Sequence, residues 1–346
     1  MAAAPRKSLG VSMPMLNQPC EKFPEFARLA DEAGFDSLWD YEFYRNPFIT
    51  HARCAATTSR IRLCTGIAAA CSRSPNEMAN AAADVDELSG GRMVLGLSTG
   101  GAHWAEFYNG SDVDHPLPRI REYVDVVRKI WHHHATGEAF EHAGRFYRAS
   151  SPPMNPWGLR TLARARIPIY VAGLREGMVR MAGEVADGLL GFVNTPEYLR
   201  DKVLPVVAEG ARRANRDPAE VDVTALVLCS VSDDRQAAMR RARINVGMYV
   251  AYPVADAAVQ HMGLAADRDA VVKALMAEGP ACLERVTSDA LVRAFSIAGT
   301  PAEGREQLAA YQAVLPHVVL HTPYVPPIGQ ADSEDAFRSM VRTFAR

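Results

Sequence analysis

The chain has no CxxC pair, no HExxH and no GxSxG. Its six cysteines (Cys20, Cys54, Cys64, Cys71, Cys229 and Cys282) fall at no metal-ligand spacing, and most sit among apolar or small residues. That pattern reads as reduced core thiols rather than a disulfide frame or zinc site. The run His132-His133-His134 is no exception. Consecutive helical residues point about 100° apart, and no carboxylate is spaced to join them, so the run reads as a solvated helix end with no metal. No serine nucleophile motif and no acid/base carboxylate pair stands out. Charge is equally unremarkable: Lys+Arg 38 against Asp+Glu 40 leaves −2. That excludes a global basic field for nucleic acid and an acidic tail. The N-terminal MAAAPRKSLG lacks a signal peptide's apolar core, and no 18-residue apolar run exists for a membrane span. The expectation is a soluble, cytoplasmic protein without nucleic-acid or membrane partners.

What is present is an alternating rhythm. With 346 residues and 48% hydrophobic content, the chain can bury one large α/β core or two smaller ones. LGVSMP, FDSLWD, IRLCTG, RMVLGLSTG, IPIYVAG, LLGFV, DVTALVLCSV and HVVLHTPY read as eight strands, each followed by a helical pattern. Strand, helix, strand at this cadence predicts parallel strands joined by crossover helices. Two stretches break it, about 138–165 after strand four and about 235–292 after strand seven. A doubly wound sheet would be expected to show a glycine-rich turn after strand one, but MPMLNQPCEK has no glycine. The prediction is a single α/β domain over 1–346: a (β/α)8 TIM barrel with insertions after strands four and seven.

Barrel active sites occupy the C-terminal ends of the strands. Here those ends carry Met13 to Asn17, then Asp40-Tyr41-Glu42, the small-residue stretch from Gly66 to Arg73, and Ser98-Thr99-Gly100-Gly101. They continue with Ala172-Gly173, Asn194 and His321-Thr322. The run Gly173 to Met178 leads straight into a helix, so its free N–H groups suit a phosphate; it also fits an ordinary turning loop. Asp40 at a strand tip serves equally as an N-cap or a functional carboxylate. His103 and Trp104 follow the Gly100-Gly101 turn, where they would line a planar ligand or pack under the insertion. A mouth of open, small-residue loops without a protein nucleophile fits an enzyme whose hard chemistry belongs to a cofactor.

Three pieces carry a family resemblance: ELSGGRMVLGLSTGG (Glu87 to Gly101), VAGLREGMVRMAGEVADG (Val171 to Gly188) and FSIAGTPAEGREQL (Phe295 to Leu308). The chain resembles the bacterial luciferase-like flavin-dependent oxidoreductases from about Leu9 to Pro326. The middle piece is similar to the branch using the deazaflavin coenzyme F420, and TGIAAACSRSP is similar to methylenetetrahydromethanopterin reductase. The resemblance implies a non-proline cis bond between Gly66 and Ile67, in a bulge that backs the deazaflavin ring with room left by Ala68. It implies that Thr99 and Gly100 line the cofactor face. Gly173 to Met178, with Leu174, Arg175 and Gly177 among them, would take the phosphate on backbone N–H groups, and Ala172 would also meet the cofactor. Asp40 would meet the ring's hydroxyl-bearing side chain or the substrate. Arg73 and Arg175 would suit the coenzyme's acidic tail.

Departures from the family pattern matter too. Sugar-phosphate-oxidising relatives carry Asp-His after strand two and Glu after the strand-four turn, where this chain has Asp40-Tyr41 and Gly101. Sugar dehydrogenation is therefore not expected. Asp40, Tyr41, Glu42, His103 and Glu106 remain as catalytic or substrate-contacting candidates. Tyr249, Tyr252, His261 and Met262 would reach the site from the second insertion or pack within it. The expected activity is F420-dependent hydride transfer to or from a small or medium organic substrate, in a homodimer. The alternatives are an FMN-dependent two-component monooxygenase served by a flavin reductase, and a cofactor-free binding or structural homologue.

Overall fold

The computed structural model describes residues 7–14, 18–101, 105–106, 110, 114–153, 160 and 162–346. Eight parallel strands close on themselves: β1 (Ser8–Ser12), β2 (Ser37–Asp40), β3 (Arg62–Thr65), β4 (Met93–Ser98), β5 (Ile169–Ala172), β6 (Gly188–Phe192), β7 (Asp222–Val231) and β8 (His317–His321). Each pairs with its chain neighbours, and β8 returns to β1 with Ser8 opposite His317. This is the predicted (β/α)8 barrel, with all eight strands where the sequence puts them.

The strands are buried on both faces because helices cover the outside. The crossover helices are α1 (Phe23–Glu32), α2 (Pro47–Ala55), α3 (Pro75–Leu88), α4 (Pro116–Thr136), α5 (Glu176–Val185) and α6 (Leu204–Arg213). Several start on a side-chain cap followed by proline, a pairing that satisfies an orphan N–H and presets φ. Asn46 accepts from Phe48 N before α2, and Ser74 from Glu77 N before α3. The main core lies between barrel and helices, where Val11, Leu38, Leu63 and Leu95 meet Phe26, Met78, Val127 and Ile130.

The excursion after β4 contains an antiparallel hairpin, Phe140–Ala143 with Arg148–Ser151. The stretch after β7 is mostly helical, with α7 (Arg235–Val250) and α8 (Ala265–Glu278) the longest pieces. It has its own small core of Leu228, Ile244, Val250, Leu283, Leu291 and Phe295. The fully buried Arg241 ties it down through Asp335 at 3.0 Å. One strand was missed in the sequence: Ser296–Gly299 pairs with the far end of the ten-residue β7. It precedes α9 (Pro301–Val314), whose capping box joins Thr300 and Glu303; α10 (Gln330–Thr343) closes the ring. No helix among the described residues is long and apolar enough to cross a membrane.

Candidate active site

Alternation along the strands decides which side chains enter the barrel. One interior layer is Trp39, Cys64, Val94, Tyr170, Leu190, Leu226 and Val319, packed together. Two positions further on, just below the C-terminal mouth, the strands carry Tyr41, Gly66, Gly96, Ala172, Phe192, Leu228 and His321, with Ser12 from β1. This upper layer is lopsided. Strands β3, β4 and β5 contribute two glycines and an alanine, whereas β2, β6, β7 and β8 contribute three aromatic rings and a leucine.

The small half ends in backbone. The Gly66–Ile67 peptide is cis, where the resemblance implies it. The chain then runs through a two-residue strand, Ala68–Ala69, beside Leu97 and Ser98. Glu42 holds this bulge. Its N–H donates to the Ile67 carbonyl at 3.0 Å, and its carboxylate accepts the Ala69 N–H at 2.8 Å. Arg73 forks the same carboxylate at 2.7 and 3.0 Å, reaches Glu77 at 3.0 Å and lies over the Phe48 ring. Arg73 is thus paired with two carboxylates, and Glu42 braces the bulge. Across the gap, Gly100 adopts φ +83°, and a Cβ there would lie 3.2 Å from Cys71 Sγ. The β4 turn thus closes onto the bulge, with the half-buried Thr99 donating to the Gly100 carbonyl at 3.1 Å.

The loop after β5 follows. Gly173 N–H donates to Leu190 O at 3.2 Å, and a Cβ on Gly173 would sit 3.1 Å from Val179 N. Arg175 is the extended N-cap of α5 and provides no side-chain cap. The Met178 and Val179 amides both donate to Arg175 O, while those of Glu176 and Gly177 have no backbone acceptor among the described residues. Arg175 is exposed and without an ion pair among the described residues. Leu174 and Glu176 also border a cavity of about 490 Å³ shared with Tyr198, Lys202 and His261.

Asp40 is not where its place at a strand tip puts it. Alternation turns Trp39 and Tyr41 into the barrel and Asp40 outward, onto α2. Its fully buried carboxylate lies 2.9 Å from His51 Nε2, which is also 3.0 Å from the Cys64 carbonyl. Burial raises the Asp40 pKa above its usual value, and His51 offsets part of the rise. Asp40 therefore supports the mouth from behind, its own carbonyl accepting Gly66 N–H at 2.6 Å.

The large half is aromatic. Tyr41 stacks on Tyr324 with centroids 5.4 Å apart, and edge contacts join Tyr41 to His321 (5.9 Å), Phe192 to His321 (5.4 Å) and Phe192 to Tyr249 (4.6 Å). The Tyr249 and Tyr324 hydroxyls hydrogen-bond each other. Burial lifts the Tyr41 and Tyr249 phenols well above their ordinary value, so both stay protonated. Burial pushes His321 down to about 3, and Ser12 Oγ shares a 2.7 Å hydrogen bond with its Nδ1. The sequence reading placed His321 at a strand end but gave it no role, although the inward period of β8 marks it, and it missed Tyr324.

Of the other candidates, Glu106 is exposed and His103 lies outside the described residues. Tyr252 is 52% exposed, His261 turns to Asp201 (3.2 Å), and Met262 accepts from the Thr195 hydroxyl. Tyr249 alone of that group joins the ring cluster. No group of three or more His, Cys, Asp or Glu among the described residues is placed to hold a metal ion.

Comparisons with known proteins match this architecture. The 5,10-methylenetetrahydromethanopterin reductase of Methanolobus tindarius is 30% identical over 290 residues, spanning 82% of this chain and 85% of its own. A putative coenzyme F420-dependent oxidoreductase of Mycobacterium tuberculosis is 30% identical over 317 residues, spanning 86% and 89%. Among solved structures, the coenzyme F420-dependent tetrahydromethanopterin reductase of Methanopyrus kandleri shares the fold, with a TM-score of 0.82 and 24% identity over 98% of each chain. The luciferase-like monooxygenase family is matched across residues 6–317, and the chain belongs to that family of enzymes.

Proposed function

We propose that this protein is an F420-dependent oxidoreductase that moves a hydride between the deazaflavin and a small or medium organic substrate. The observation that carries the reading is the upper layer reduced to Gly66, Gly96 and Ala172, with the short Ala68–Ala69 strand laid beside Leu97 and Ser98. A flat tricyclic ring needs a floor of backbone rather than side chains, and this half of the mouth supplies one. The names of the F420-dependent relatives support the same cofactor.

The residues fit the coenzyme. Gly66, Ile67 and Ala68 would back the ring, and Thr99 and Gly100 would close on its edge. The amides of Glu176 and Gly177, which have no backbone acceptor among the described residues and lie at the positive end of the α5 dipole, would take the phosphate. Gly173 lets the loop approach that helix, Met178 packs it against the core, Leu174 borders the neighbouring cavity, and Arg175 is left for acidic groups beyond the phosphate. When bound, the deazaflavin supplies two-electron hydride chemistry. The protein orients the ring, keeps Tyr41 protonated as a hydrogen-bond donor, and excludes water with the aromatic half.

A fluorescence titration of the purified apoprotein with F420 and, separately, with FMN tests the reading. Tight F420 binding without FMN binding is the expected outcome. Preference for FMN would move the protein to the oxygen-using, reductase-served side of its family. Binding of neither would favour a cofactor-free homologue.

A further inference from the structure

The aromatic half of the mouth is more than filler, because it carries donors that the protein itself leaves unused. Tyr41 Oη is buried and has no hydrogen-bond partner among the described residues. Asn245, on α7, spends its Oδ1 on the Tyr324 and Val325 amides at 3.4 and 3.2 Å, while its buried Nδ2 has no partner among the described residues. Leaving a buried donor unmet is costly, so its persistence points to an acceptor arriving from outside. Both donors belong to the wall built on Tyr324: Tyr41 stacks on that ring, and Asn245 holds its backbone.

The wall is also uncharged. None of the cation–π contacts among the described residues involves Tyr41, Phe192, Tyr249, His321 or Tyr324. The phenols stay protonated and the imidazole neutral, because burial disfavours their charged forms. An anion placed here would lose its hydration against ring faces with no cation to replace it. A quaternary cation would suit the faces but has no acceptor for the Tyr41 and Asn245 donors. A planar, uncharged molecule bearing a carbonyl satisfies both requirements: its face lies on the rings and its oxygen meets a donor.

We propose that Tyr41, Phe192, Tyr249 and Tyr324 form the substrate wall, and that it selects planar, uncharged, conjugated carbonyl compounds. Tyr41 Oη donates to the carbonyl oxygen. This names the substrate class for the site of the proposed function and rests on that reading for the cofactor, though the wall can be tested without cofactor.

The test is isothermal titration of the apoprotein, and of the F420-loaded protein, with four probes. These are 2-acetonaphthone, its anionic counterpart 2-naphthoate, the non-planar cyclohexyl methyl ketone, and a trimethylammonium naphthalene. 2-Acetonaphthone should bind at least about tenfold more tightly than each of the others, the size of one stacked aromatic contact plus one hydrogen bond. Tyr41→Phe should lose about tenfold for the ketone while leaving naphthoate unchanged. Tyr249→Leu should erase the preference for planar over non-planar ketone, and Tyr249→Phe, which keeps the ring, should restore it. F420 affinity should stay within about twofold of wild type in the Tyr249 variants, a change worth no more than about 0.4 kcal/mol. Equal or tighter binding of naphthoate or the ammonium probe overturns the proposal. So does a Tyr41→Phe protein that binds all four like wild type, or a Tyr249→Leu protein that loses F420. Binding of FMN in place of F420 would sink the cofactor reading while leaving the probe selectivity of the apoprotein to stand or fall by itself.

Discussion

Arg73 lays both terminal guanidinium nitrogens on the Glu42 carboxylate, at 2.7 and 3.0 Å, and that carboxylate also accepts the Ala69 amide. The pair spans the cis bulge and pins its far side to the loop after β2. The two side chains are 9% and 15% exposed, so removing one strands a largely buried charge.

Arg73→Ala is accordingly expected to cost about 3 kcal/mol or more in urea denaturation, the range for breaking a buried pair. Arg73→Lys keeps the charge but loses the fork, and should cost less than half as much. F420 should bind more weakly to the alanine variant, because the bulge loses its brace. Equal losses for Lys and Ala would show that geometry, not charge, is the whole contribution. An unaffected stability would remove the brace altogether.

The floor of the site rests on Gly96. A Cβ there would lie 1.9 Å from the Thr65 carbonyl oxygen, and that atom is backbone and cannot swing away. Gly96→Ala should therefore destabilise by at least about 3 kcal/mol or prevent folding, at or beyond the usual cost of overpacking. Gly101→Ala is the control: a Cβ there meets nothing within 4 Å among the described residues, and the change should stay within about 0.5 kcal/mol. Thermal unfolding of both distinguishes a site-specific close approach from a general sensitivity to lost glycine.

Local pattern made the barrel legible, and distance hid most of the site. Eight strands could be read from apolar runs such as RMVLGLS because burial on both faces leaves an unmistakable stretch. Ser296–Gly299 escaped because four residues between helices carry no period. The Glu42–Arg73 fork joins residues 31 apart, and the Tyr249–Tyr324 contact residues 75 apart, so no spacing rule reaches them. Two failures were avoidable. Asp40 lies one residue off the inward phase set by Trp39 and Tyr41, so alternation alone turns it outward. Gly96 interrupts an otherwise bulky strand, a sign of close backbone approach.

That outward turn makes Asp40 a decisive position. If Asp40 were a proton-transfer group, Asp40→Asn would abolish turnover and move the pH profile. With its carboxyl buried against His51, the amide should instead be tolerated. The raised pKa means that ionisation above the ordinary 3.8 works against the folded state, and asparagine removes that penalty at pH 7. Asp40→Asn is expected to match or exceed wild-type stability and keep turnover within about tenfold, roughly 1.4 kcal/mol of barrier. Asp40→Ala, which leaves a void beside His51, should lose about 2 kcal/mol. A pH profile of Asp40→Asn shifted from that of wild type would return Asp40 to the chemistry.

His321 sets how the site fails in acid. Its ring is held neutral among four aromatic neighbours, with a folded-state pKa near 3 against an ordinary 6.5. Because the folded value is the lower one, the unfolded chain binds a proton that the folded chain refuses throughout that interval. The stability His321 contributes is therefore full above about pH 6.5 and is lost progressively as the pH falls towards 3. The displacement corresponds to roughly 5 kcal/mol at most, before any relaxation of the cluster. Asp222, whose pKa is lowered because hydrogen bonds from His317 and Tyr170 outweigh its burial, acts only below its ordinary 3.8. The window from pH 6.5 to about 4.5 therefore isolates the histidine from that carboxylate. Urea midpoints measured across it should fall more steeply in wild type than in His321→Gln, because the shifted His134 and Asp40 titrate in both proteins, so the gap between the two narrows as the pH drops. Parallel curves would mean that the ring accepts its proton without cost, which an imidazole enclosed by Tyr41, Phe192, Tyr249 and Tyr324 could do only if water reached it.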